Sequence, residues 1–79
     1  MTYPDRIDAR WIDSLSDADL QSAEWALRET FHDAETSEKQ RLGASYDLMR
    51  GPEHLTGAWL RWSMVSNAAR ARGLRVRYR

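Results

Sequence analysis

Glu35-Thr36-Ser37-Glu38-Lys39-Gln40-Arg41 is the stretch on which the fold turns. It holds no apolar side chain. Thr36 or Ser37 can cap a new helix, and Ser37 with Gln40 fits the capping-box pattern. On that reading the segment is a turn between two helices. The competing reading is one continuous helix, because Leu42, Ser45, Tyr46 and Met49 stay in phase with the apolar stripe upstream. Such a helix would be roughly 50 Å long at 1.5 Å per residue, awkward for so small a domain. The expectation is therefore a turn.

Upstream, Leu20, Ala23, Leu27, Phe31 and Ala34 fall on one face of a helix over 17–34. Ser16 is suited to the N-cap, and Asp17 and Asp19 favour the positive end of the helix dipole. Leu15 before the cap can pack on Leu20 as a hydrophobic staple. Before it, Pro4 followed by Ile7, Trp11 and Leu15 at intervals of four predicts a short first helix over 4–14. Downstream, Arg50-Gly51-Pro52 ends one helix and starts another, which runs to about Arg72 with Gly73 beyond its end. The last six residues, Leu74 to Arg79, alternate apolar and arginine and predict an edge strand or an extended arm.

The chain has 79 residues, no cysteine and a formal net charge of zero. One domain is the most that this length allows, with a modest core. The absence of cysteine removes disulfides, thiolate metal sites and thiol nucleophiles together. No run approaches the roughly 20 apolar residues that cross a bilayer, and Met1 to Arg10 lack the apolar run of a signal peptide. A cytoplasmic location is the default expectation, with no membrane partner.

The zero net charge conceals a split. Residues 1–38 carry ten acidic side chains against three arginines, a net of −7, whereas residues 39–79 carry nine basic against two acidic, a net of +7. No Asp or Glu follows Glu53. The carboxylates read mostly as a solvated face, with Glu24–Arg28 and Glu35–Lys39 as i,i+4 pairs.

Three features carry functional expectations. On the last helix Leu55, Ala58, Trp59, Trp62, Val65 and Ala69 make one apolar face, while Leu60, Met64 and Ala71 make a second stripe almost opposite, with Ala68 at its edge. A helix apolar on two sides is either central in its bundle or covered by a partner. Trp25 points away from the core face of its own helix, and Trp is enriched at interface hot spots. It is covered either by another part of the chain or by a partner. Lastly, Arg70, Arg72, Arg75, Arg77 and Arg79 crowd the final ten residues together with Tyr78. Arginine attracts phosphate by charge and by paired hydrogen bonds, and an aromatic ring stacks on unpaired bases. That end suits nucleic acid or an acidic protein surface, or it docks on the chain's own acidic half.

Other chemistry finds little support. Glu53, Trp59 and Leu60 stand where a helix-turn-helix would present polar and basic residues to the DNA groove. Only His32 and His54 are present, without a glycine-rich phosphate loop. Glu29-x-x-His32 matches the carboxylate–histidine spacing of di-iron bundles, but such sites need a second copy and further inward carboxylates. No enzyme activity, metal or cofactor is expected. The sequence thus predicts an all-α fold: a compact bundle of three or four helices over 1–73, and a short extended basic arm over 74–79. The leading expectation is a binding protein that contacts nucleic acid through Arg70, Arg72, Arg75, Arg77, Tyr78 and Arg79. The rival is a protein-interaction module, with a homodimer among its forms, that uses Trp25, Leu60, Met64 and Ala71.

Overall fold

A computed structural model of the chain describes residues 7–76. Three helices follow one another: α1 (Ala9–Asp13), α2 (Asp17–Leu42) and α3 (Glu53–Ala71), with single 3-10 turns at Gly43–Ser45 and Leu48–Arg50 between the last two. No strand occurs among the described residues, so the all-α expectation holds. None of the described helices is long and apolar enough to cross a membrane. α2 and α3 lie antiparallel. Arg72, just past the end of α3, reaches Asp17 at the start of α2 at 3.2 Å, and His54 near the start of α3 lies 3.8 Å from Glu38 near the end of α2.

The architecture is a long helical hairpin closed at one end by α1. The turn expected over 35–41 does not form: α2 passes through it without a break. Two physical reasons account for this. The segment is rich in Glu, Lys, Gln and Arg, all strong helix formers, and holds neither Gly nor Pro. Its carboxylates are also not a solvated face. Glu35 and Glu38 are buried, and each meets a partner from beyond the helix. Tyr46 Oη donates to Glu35 Oε2 at 2.6 Å, while Lys39 Nζ stands 3.6 Å from Glu35 Oε1. Arg41 donates to Glu38 Oε2 at 2.7 Å, and His54 approaches the other oxygen. The helix ends instead at Gly43, whose φ of 57° suits a residue without a Cβ.

Tyr46 makes this corner sensitive to pH. Burial first, and then the nearby charges of Asp47 and Glu38, raise its pKa above the usual 10.0. The folded chain therefore holds the phenolic proton more tightly than the unfolded chain. That contribution is complete below about pH 10, where both states are protonated, and is lost as pH rises through the folded value. Tyr46→Phe should flatten this alkaline loss in urea melts taken at successive pH values. At neutral pH it should cost about 1.5–3 kcal/mol, the worth of a hydrogen bond to a charged acceptor.

The opposite end is fixed by caps. α1 starts at Ala9 and not near Pro4. Ile7 and Asp8 are non-helical, and the Asp8 carboxylate accepts from the Trp11 N–H at 2.9 Å. Residues 4–6 of the expected first helix lie outside the described residues. Ser16 caps α2 as expected, accepting from the Asp19 N–H at 3.1 Å. Leu15 is half-buried and Leu20 fully buried. The end of α3 is a Schellman motif: Gly73 N–H donates to the Arg70 carbonyl and Leu74 N–H to that of Ala69, both at 2.9 Å, with Gly73 at φ 77°.

The core is one continuous cluster. Ile7 and Ile12 close its end over Leu20, Ala23, Leu27 and Phe31 of α2 and Leu55, Ala58, Trp62, Val65 and Ala69 of α3. Two long helices and one short one leave much surface uncovered. The accessible area is 5433 Å², against about 4,900 Å² for a compact monomer of this mass. The radius of gyration is 13.2 Å, against about 11.6 Å for a compact domain of this length. The molecule is elongated, 39 Å in its longest direction.

Candidate interaction surface

The predicted inner face of α3 is the observed one, with one addition and with Trp59, expected on that face, half-buried at its margin. The addition is Ser66, which is buried with it. Trp62 anchors that face. Its ring stacks on Phe31 with centroids 5.6 Å apart and planes 13° from parallel, and its indole N–H donates to Glu24 Oε1 at 3.1 Å. Glu24 is 2% exposed, so the expected surface pair of Glu24 with Arg28 is corrected. The carboxylate faces inward because the indole donor satisfies it there. Arg28 turns to Glu29 at 3.0 Å and lays its guanidinium carbon 4.5 Å from the centre of the Trp25 ring.

The outer face of α3 carries the second stripe. Leu60 is 55% exposed and Met64 40%, and Ala71 is exposed as well. α3 is therefore not a central helix packed on both sides. Gly57, which the sequence pattern gave no reason to single out, belongs to the same face. A Cβ there would come no closer than 3.8 Å to the Arg61 side chain. The fold itself thus makes no demand for glycine at this position, although glycine inside a helix costs about 0.5–1 kcal/mol relative to alanine. On α2, Trp25 is 48% exposed with Arg28 against its ring. Met49 also lies open, on the second 3-10 turn.

The basic end is partly committed to the chain itself. Arg72 donates to the carbonyls of Leu15 at 2.8 Å and Ile12 at 3.0 Å and pairs with Asp17. It ties the α1–α2 corner to the end of α3. Arg72→Ala should lower stability by about 1–2 kcal/mol, because two partly buried carbonyls lose charged donors. Amide exchange should then accelerate first around residues 12–17. Arg70 is exposed and donates to Asn67 Oδ1 at 2.9 Å. The side chain of Arg75 is exposed, but its carbonyl accepts from the Gln21 side-chain amide, and Leu74 and Val76 pack partly against the core. Residues 74–76 therefore lie along the protein's own surface. Arg77, Tyr78 and Arg79 fall outside the described residues.

Among the described residues, no group of three His, Asp or Glu side chains is placed to hold a metal ion. His32 lies beside aromatic rings, 5.9 Å from Phe31 and 6.4 Å from Trp62 between centroids. The polar cluster at the hairpin's far end, Glu35, Glu38, Lys39, Tyr46 and His54, was missed as a unit because its members lie on three separate segments. The only sequence hint was the absence of a helix breaker between Glu35 and Arg41. No protein-family model, no curated protein and no solved structure matches the chain.

Proposed function

We propose that this protein is a non-enzymatic interaction module whose working surface is the outer face of α3. The observation that carries the reading is the exposure of Leu60 and Met64 on a helix whose opposite face is already buried. Two large apolar side chains one turn apart, flanked by small ones, form a surface that an approaching helix covers. Each apolar group removed from water there favours association by roughly 25 cal/mol per Å². Trp25 and its stacked Arg28 offer a second anchor of the type enriched at interface hot spots. The nucleic-acid reading is less well supported. Of its six residues, Arg72 is spent on two backbone carbonyls and Asp17, which leaves Arg70 and Arg75 as the described basic side chains at that end.

Photo-crosslinking in the producing cells tests the reading, with a benzophenone side chain at position 60 and a control at the exposed position 36. The expected result is one discrete covalent adduct from position 60 that Met64→Asp abolishes while helicity is retained. No discrete adduct, or one indifferent to Met64→Asp, would overturn it.

A further inference from the structure

We infer that the outer face of α3 pairs with the same face of a second copy, antiparallel, with a twofold axis through Met64. The inference rests on the interaction-module reading above and names the partner. Its starting point is a symmetry in the spacing. Counting outward from Met64, Gly57 and Ala71 lie seven residues away, and Leu60 and Ala68 lie four away, on either side. At 100° per residue all four fall within about 40° of Met64 around the helix. Gly57, Met64 and Ala71 also repeat at the seven-residue period of a helix–helix seam.

In an antiparallel pair, a residue before the axis meets the one equally far after it on the partner. Gly57 then faces the partner's Ala71, small against small, and Leu60 faces the partner's Ala68, a large side chain over a small one. Met64 meets its own copy. Leu60 thus meets the edge of the seam at the partner's Ala68, which is half-buried against its own core, and the small residues at 57 and 71 let the helix axes approach closely at both ends. The glycine that the isolated fold does not require gains a purpose in this pairing.

Charge selects the direction. In a parallel pair the arginine-rich ends of the two helices would lie side by side, in a segment with no Asp or Glu after Glu53. The antiparallel pair sets those two ends a helix length apart. The Glu53 end of α3 also runs beside the partner's arginine-rich end, and the two helix dipoles oppose head to tail.

The chain has no cysteine, so single cysteines read the register directly. Sedimentation of the full chain across the micromolar-to-millimolar range should show a monomer–dimer equilibrium. Met64→Asp and Gly57→Leu should each weaken it by at least about tenfold, because each puts an unpaired charge or excess volume on the seam. Met64→Cys should form a disulfide-linked dimer under mild oxidation. Leu60→Cys alone should not, because its two copies stand about 12 Å apart along the axis, beyond the roughly 7 Å between Cα atoms that a disulfide spans. A mixture of Leu60→Cys and Ala68→Cys chains should link. Self-linking of Leu60→Cys as readily as Met64→Cys would overturn the antiparallel register, and a monomer at every concentration would overturn the second copy itself. If the chain alone is monomeric while position 60 crosslinks to a different polypeptide, the dimer fails and the interaction module stands. If neither is found, both fail.

Discussion

Trp62→Ala should leave most of the chain unfolded at 25 °C. Removing a buried tryptophan costs about 3–5 kcal/mol in transfer and cavity terms, which is comparable to the whole stability of a domain of this size. Here the loss is compounded. The ring stacked on Phe31 disappears, and Glu24 is left 2% exposed with its indole donor gone. Far-UV circular dichroism at 222 nm should fall toward the coil value and lose its cooperative thermal transition. Trp62→Phe separates the two contributions. It keeps an aromatic ring against Phe31 and removes only the N–H, so its cost should be about 1–3 kcal/mol, the penalty of an unsatisfied buried acceptor. Pairing it with Glu24→Leu should recover most of that loss, since apolar groups replacing both partners leave nothing unsatisfied. If Trp62→Phe melts with the parent chain, the Glu24 hydrogen bond contributes nothing to the fold.

The same pair shows how far the sequence could be read. The inner face of α3 followed from periodicity alone, because Leu55, Ala58, Trp62, Val65 and Ala69 are apolar and recur at helical spacing. Caps at Ser16 and Gly73 and the break at Gly51-Pro52 were legible for the same kind of reason: each is a local effect of a residue's own backbone or side-chain chemistry. The inward turn of Glu24, Glu35 and Glu38 was not. A carboxylate at a core position looks like a surface residue until its partner is known. Those partners, Trp62, Tyr46 and His54, stand 11 to 38 residues away in sequence and meet it only across the hairpin. With those carboxylates read as solvated, residues 35–41 offered nothing to bury, and the length of an unbroken helix in so small a domain then favoured a turn. The apolar outer stripe on α3 was legible as a pattern. Its exposure was not, because exposure depends on how many other helices exist to cover it. With α2 unbroken, one fewer helix is available, and Leu60 and Met64 stay open.

Ser37→Pro puts the continuity of α2 to a direct test, and its expected cost is the second large one. Ser37 is exposed, so the substitution disturbs no core packing and acts through the backbone. If residues 35–41 held a turn with Thr36 as the cap of a new helix, the introduced proline would occupy the first helical position. Proline is favoured there, and stability would be unchanged or slightly raised. In the unbroken helix Asp17–Leu42, the same proline removes the Ser37 N–H bond to the Asp33 carbonyl and drives its ring against that oxygen. That costs about 3 kcal/mol or more. The damage would spread in a particular direction. A kink at this point swings Glu38 and Arg41 away from His54, and loosens the corner that Tyr46 makes with Glu35. Amide exchange should therefore rise from residue 34 through the 3-10 turns to the first turn of α3, while the end tied down by Arg72 keeps its protection longer. Ser37→Ala, with its high helix propensity, should instead raise the melting temperature slightly. A proline variant that melts at or above the parent chain would mean that the hairpin is not built on one long helix, and that Glu35 and Glu38 owe their burial to something else.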